Sequence, residues 1–293
     1  MAGKRSIGEM IFDIFNYIFM ALILFATLYP FLYIAFASFS DPYLLEAHQG
    51  FLVRPVGFSL ASFKAVFGNR NILMGYRNTL IYVVLGTSLN LLMTSLGAYV
   101  LSRNGPCLKN IFTFLFVFTM FFSGGLIPFY LIVQGLKLAD TMWAVILPPA
   151  VNTYNLIIMR TAFAGVPPSM EESARIDGAG DVTILFRIII PLCMPVVAVM
   201  ILFYGVYHWN AWVNASIFFQ KRTLYPLQLF LREILITSNT DSMTTGASSG
   251  EREYVSQGIK YATIIVATIP ILCVYPFLQR FFNKGIMIGA VKE

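Results

Sequence analysis

Ser169-Met170-Glu171-Glu172-Ser173-Ala174-Arg175-Ile176-Asp177-Gly178-Ala179-Gly180 is a short charged segment wedged between long apolar runs, and its reading decides what kind of chain this is. The S-x-x-E spacing of Ser169 and Glu172 predicts a capping box at a helix start, and Gly178 supplies the positive φ at which such a helix stops. Asp181 stands where it can cap a following helix. The segment reads as a compact helix-turn-helix. Ala174, Ala179 and Gly180 are small enough for a partner surface to approach the backbone, so a polar helix of this kind between membrane spans reads as a docking element.

The flanking runs set the class. The chain is 58% hydrophobic and 12% charged, with a mean hydropathy of +0.74, which is far from the composition of a soluble domain. Charge-free runs extend from Ile14 to Ser40, Asn78 to Ser102, Asn110 to Leu136, Thr141 to Met159, Ile188 to Gln220 and Tyr261 to Gln279. Each can supply the roughly 20 apolar residues that a bilayer-crossing helix needs. The expectation is an all-α polytopic membrane protein with six transmembrane helices and a cytoplasmic coupling helix. A β-barrel is excluded because barrel strands alternate polar and apolar over about ten residues, and these runs are longer and continuous. Lys4 and Arg5 precede the first run, which is much longer than the apolar core of a signal peptide and so reads as an uncleaved span.

The chain divides into a first helix and outer segment (1–77), a membrane core (78–282) and a short tail (283–293). The Lys and Arg residues split evenly between the two sides, so charge counting does not orient the chain. The net charge of +6 is scattered and forms no stripe for nucleic acid, which leaves membrane lipid as the simpler partner. Cys107, Cys193 and Cys273 imply no disulfide framework. The segment Asp41 to Arg77, with Phe51, Phe58, Phe63 and Phe67, is expected to fold against the membrane domain. Thr237 to Gly250, rich in Ser, Thr and Gly, is expected to be a mobile tip.

Chemistry is sparse. The sequence has no G-x-x-x-x-G-K-[ST], H-E-x-x-H, paired C-x-x-C or G-x-S-x-G, and only His48 and His208 as imidazoles, so neither ATP hydrolysis nor a metal site is expected of this chain. An ion-coupled carrier places a carboxylate at mid-membrane; here only Asp13 lies near a span end and His208 inside one, so the driving energy is expected from elsewhere. The fifth run ends in Tyr204-Gly205-Val206-Tyr207-His208-Trp209-Asn210-Ala211-Trp212-Val213-Asn214. Aromatic faces beside amides suit a sugar ring, which makes Tyr204, Tyr207, His208, Trp209, Asn210, Trp212 and Asn214 candidates for a solute pathway. The same residues also suit an interfacial aromatic belt, and the two readings stay open. His208 alone reads as a hydrogen-bonded helix residue.

Glu172-Ser173-Ala174, Asp177-Gly178-Ala179, Phe186-Arg187-Ile188-Ile189-Ile190-Pro191 and Pro195 together resemble the EAA signature of bacterial ABC importer permeases, with Ser173 in place of the usual first alanine. Lys284 to Lys292 is similar to the tail of the carbohydrate-importing branch related to the maltose system's smaller permease. The resemblance implies that the EAA helix and both termini are cytoplasmic, in a bacterial inner membrane. Glu172, Ser173, Ala174, Asp177, Gly178 and Ala179 would form the element that couples to an ATPase subunit. It also implies a second homologous permease, two ATPase subunits that bind the ATP and Mg (this chain holding no cofactor), and an extracytoplasmic solute-binding protein. The overall pattern is similar to permeases for complex or acidic oligosaccharides, the second permease of an alginate importer among them. Lys221, Arg222, Arg232, Arg252 and Lys260 on the outer side are compatible with steering a polyanionic solute. The alternatives are a permease for amino acids or peptides and a secondary carrier.

Overall fold

A run dominated by Leu, Ile, Phe, Met and Ala, with charge only at Glu9 and Asp13 near its start, drives Ile7–Ser38 into one 32-residue helix, α1, which carries Pro30 inside it. A helix of that length rises about 48 Å at 1.5 Å per residue, more than a hydrocarbon core. The computed structural model describes residues 7–103, 105, 108–236 and 251–290; the Thr237 to Gly250 segment and Cys107 lie outside the described residues. The rest is also helical: α2 (Pro42–Ala47), α3 (Ala61–Gly68), α4 (Arg70–Ser102), α5 (Lys109–Phe121), α6 (Leu126–Gly135), α7 (Trp143–Ile146), α8 (Thr153–Ala164), α9 (Pro168–Ile176), α10 (Asp181–Ile184), α11 (Ile190–Leu192), α12 (Met194–Trp209), α13 (Val213–Phe218), α14 (Leu227–Ile236) and α15 (Glu251–Ala290). Extended pairing among the described residues is confined to one antiparallel bridge, Ser40 with Phe58.

Among the described residues, four stretches are long and apolar enough to cross a membrane: Ile7–Ser38, Arg70–Ser102, Met194–Phe218 and Ser256–Val274. The expected third and fourth spans are not continuous helices. The run from Asn110 to Leu136 is two helices, α5 and α6, bent by 117°. The break falls at Ser123-Gly124-Gly125, where Gly125 takes φ +83. The run from Thr141 to Met159 stops after α7, because consecutive Pro148 and Pro149 offer no N–H to a helix. It restarts at α8, whose cap is the Asn152 side chain accepting from the Asn155 N–H at 3.1 Å.

The chain forms two compact units. Residues 1–70 and 231–269 make the first. In it the segment after α1 folds back on that helix. Phe51 meets Tyr29 edge-on at 5.3 Å, Phe39 lies 6.0 Å from Phe58 and 4.8 Å from Phe63, and the Leu52 N–H donates to the Tyr29 hydroxyl. Asp41 caps α2 by accepting from Tyr43 N–H at 3.0 Å.

Residues 71–230 and 270–293 make the second unit, and it holds the candidate site. Two apolar clusters lie along it. One gathers Ala98, Leu156, Met159, Phe163, Ile184, Ile189 and Met200; the other gathers Tyr82, Val133, Ile146, Ala215, Phe218 and Leu229. Helix α4 reaches both. Its first half carries a polar ladder: Asn78 donates to the carbonyls of Thr223 (2.8 Å) and Tyr225 (3.0 Å), the Tyr82 hydroxyl donates to Leu224 O (2.8 Å), and Thr79 Oγ1 accepts from Leu227 N–H (2.8 Å). Buried amide and hydroxyl groups are costly unless paired, so these contacts fix the register of α4 against the 222–227 loop.

Candidate functional site: the α9 element and the buried face of α4

The chain leaves α8 at Gly165, buries Val166, and enters α9 through Pro167 and Pro168. The fixed φ of proline suits the first helical position, so the helix starts at Pro168, one residue before the expected cap. Ser169 is therefore already inside the first turn and makes no capping contact; the sequence's capping box is not formed. Asp181 is likewise not a cap. The residue preceding α10 is Gly180, and the Asp181 carboxylate instead pairs with Arg175 at 2.5 Å.

The C-terminal stop does follow the sequence. Gly178 takes φ +84, its N–H donates to Arg175 O (3.0 Å), and Ala179 N–H donates to Ala174 O (2.9 Å). This is the paired closure of a Schellman turn, and it satisfies carbonyls that a helix end leaves free.

The six expected coupling residues fall into two groups. Glu172, Ser173, Asp177 and Gly178 are exposed, whereas Ala174 and Ala179 are half-buried and pack against the cluster around Ile184 and Phe163. Their small size therefore lets α9 sit close to its own membrane domain; the outward face is formed by Glu172, Ser173 and Asp177, with Ile176 (87% exposed) among them. Glu171 turns inward, 7% exposed, and meets Arg103 at 2.5 Å just past the end of α4. The Arg103 guanidinium lies over the Tyr99 ring at 5.1 Å, and the Tyr99 hydroxyl donates to Asp181 at 3.4 Å. These side chains line a cleft of about 530 Å³ under α9.

The residues of the candidate solute pathway are also divided by helical phase. Tyr204, His208 and Trp209 are buried, at 2%, 2% and 7% exposure; Tyr207 and Asn210 are exposed. Trp212 and Asn214 are half-buried beyond a break in the helix at 210–212. Tyr204 shares a 2.7 Å hydrogen bond with Thr94, and His208 shares one of 2.7 Å with Asn90 Oδ1, while the Asn90 amide donates to Pro149 O. The carbonyl left at the broken α7–α8 segment thus finds its partner inside the protein, the condition under which irregular backbone survives at membrane depth. Gly86 makes room for the imidazole: a Cβ there would lie 2.4 Å from His208 Nε2. Reasoning from the sequence identifies the buried histidine as a hydrogen-bonded residue but misses Asn90, Arg103 and Glu171, none of which carries a local motif.

A helical chain with stretches long and apolar enough to cross a bilayer, some of them broken, has the build of an integral membrane component. Residues 1–288 match the family described as binding-protein-dependent transport system inner membrane component, and the chain belongs to that family. It is thus a membrane component of a transport system and not an enzyme. It is 39% identical over 285 residues to the polygalacturonan/rhamnogalacturonan transport system permease protein YtcP of Bacillus subtilis, covering 96% of this chain and 98% of that one. It is 40% identical over 282 residues to protein LplC of the same organism, covering 96% and 95%. A solved bacterial ABC transporter involved in the import of the acidic polysaccharide alginate contains a chain that superposes with a TM-score of 0.88 at 29% identity, covering 96% of this chain and all of that one.

Proposed function

We propose that this chain is one of two homologous permease subunits of an ATP-driven importer for oligosaccharides, acidic ones in particular. The observation that carries the reading is end-to-end similarity to a permease named for polygalacturonan and rhamnogalacturonan and to a chain of an alginate importer. The chemistry these share is a chain of acidic sugars.

In this reading the bent α5–α6 pair and the broken α7–α8 segment each complete a crossing, giving six spans with both termini cytoplasmic. Helix α9 lies on the cytoplasmic side, where its exposed face of Glu172, Ser173, Ile176 and Asp177 fits a groove on an ATPase subunit. Two such subunits bind ATP and Mg, and their closure moves the permease pair between inward-facing and outward-facing states. Solute arrives from an extracytoplasmic binding protein. Tyr207, Asn210, Trp212 and Asn214 contact the sugar, while Tyr204, His208 and Trp209 hold the helix from behind.

The experiment is ATP hydrolysis by the reconstituted complex in liposomes, driven by binding protein loaded with oligogalacturonate, alginate oligomers, neutral arabino-oligosaccharides or a peptide. Stimulation by the acidic oligomers alone is expected. Stimulation by the peptide and by no sugar overturns the substrate class. Uptake that continues without ATP but stops when the membrane potential is collapsed overturns the importer and points to a secondary carrier.

A further inference from the structure

Glu171 and Glu172 are neighbours with opposite surroundings. Glu172 faces outward on α9, whereas Glu171 is buried against Arg103. A buried carboxylate is tolerated only with its charge matched, and a guanidinium at 2.5 Å does so. Arg103 is itself held: its face lies 5.1 Å over Tyr99, one turn back on α4. From Tyr99 a second route returns to α9, through the hydroxyl to Asp181 and from Asp181 to Arg175. The last turn of α4 is therefore tied to α9 at two points a turn apart, Glu171 and Arg175, and a third contact, from Arg160 Nε to Leu101 O (3.0 Å), binds the same turn to α8. Further back along α4 stand Asn90, with His208 and Pro149 beyond it, and then, in the first half of the helix, the ladder to residues 222–227.

We propose that Arg103, through its buried ion pair with Glu171, is the positioning residue that passes movement of α9 to α4 and so to the solute-facing half of the bundle. The inference rests on the reading of α9 as the ATPase-docking helix. The outward face of α9 binds the ATPase, and the inward ion pair makes that binding move a span. Loss of the pair leaves the docking face intact and lets α9 shift without carrying α4.

The test uses the complete reconstituted complex with loaded binding protein and compares Arg103→Met, Arg103→Lys, the exchange Arg103→Glu with Glu171→Arg, and Ile176→Asp. Two quantities are read: ATPase subunit copurifying with the permease, and solute transported per ATP hydrolysed. Arg103→Met is expected to keep the ATPase subunit and lose roughly 2- to 30-fold in solute per ATP, the range seen when a residue of a coupling network is changed. Arg103→Lys keeps the charge but not the planar face over Tyr99, and is expected to fall between Met and the parent. The exchange is expected to recover coupling. Ile176→Asp is expected to lose the ATPase subunit.

Wild-type solute per ATP in Arg103→Met overturns the proposal. So does loss of the ATPase subunit in Arg103→Met to the same degree as in Ile176→Asp, because the pair would then only shape the docking face. If Arg103→Met does not accumulate in the membrane, the exchange variant decides: a folded but uncoupled exchange overturns the proposal, and a coupled one supports it. Retention of the ATPase subunit by Ile176→Asp overturns the docking reading itself, a result distinct from either failure of the ion pair.

Discussion

Asn90 Oδ1 and His208 meet at 2.7 Å between α4 and α12, and the side-chain amide N–H of Asn90 donates to the carbonyl of Pro149. One side chain thus joins a continuous span, a second span and the broken segment between α7 and α8. With its amide donating to Pro149, Asn90 offers only its Oδ1 to the imidazole, so His208 donates from Nε2. Asn90→Leu leaves an imidazole N–H and a carbonyl buried without partners, at about 1–3 kcal/mol for each orphaned group. The expected outcome is a clearly lower unfolding temperature of the purified complex, and an unchanged melting curve would show that the network contributes little.

Gly86 supplies a second test of the same joint. A Cβ at this position would lie 2.4 Å from His208 Nε2, so Gly86→Ala forces the imidazole away from Asn90. Overpacking of this kind costs about 1–3 kcal/mol. Combining Gly86→Ala with His208→Ala removes the obstructing ring, so the two effects are expected to be non-additive, with the double variant less destabilised than the sum of the singles. Strict additivity in thermal unfolding would contradict the contact.

Gly178→Val places a β-branched residue at φ +84, although nothing lies within 4 Å of the new Cβ. The penalty is therefore one of backbone conformation, on the order of 1–2 kcal/mol or more for a left-handed residue. Membrane insertion is expected to be intact and solute transport per ATP reduced, with Gly178→Asn milder because asparagine tolerates that region. Normal transport by the valine variant would remove the need for a rigid turn after α9.

Asp140 predicts a pH dependence. Its carboxylate accepts the N–H groups of Lys221 (3.0 Å) and Gln220 (3.1 Å), and the Lys221 ammonium lies 3.0 Å away. The Lys221 backbone hydrogen bond, followed by that residue's side chain and the Gln220 amide, holds the carboxyl below the usual Asp value. The contribution to stability is present above the unfolded value of about 3.9 and is lost as pH falls through the lower folded value. Asp140→Asn tolerates the residue's φ of +58 and removes the charge. The wild type is expected to unfold at a higher temperature than the variant near neutral pH, with the gap closing as the pH falls below about 4. A gap that stays constant with pH would contradict the assignment.

Much of the architecture is readable in composition, because apolar runs of bilayer length leave few alternatives to helices. The interruptions escape a reading by hydropathy, which runs straight through Ser123-Gly124-Gly125 and Pro148-Pro149 because these residues carry no charge. The start of α9 is harder. Ser169 and Glu172 have capping-box spacing, but Pro167 and Pro168 move the helix start ahead of them, and proline geometry wins over a hydroxyl's preference. The inward turn of Ala174, Ala179 and Glu171 could not be read locally either. It depends on Arg103 and on the cluster around Phe163, which reach α9 from elsewhere in the chain and only through packing.

The inward placement of Ala174 and Ala179 has a further consequence. On the proposed reading, what an ATPase meets on α9 is chiefly Glu172, Ser173, Ile176 and Asp177, while the sugar is handled by residues on other elements. Recognition of the motor and recognition of the cargo are thus written on separable parts of the sequence. A single ATPase could serve several importers whose cargoes differ, and a permease could change its diet without renegotiating its engine.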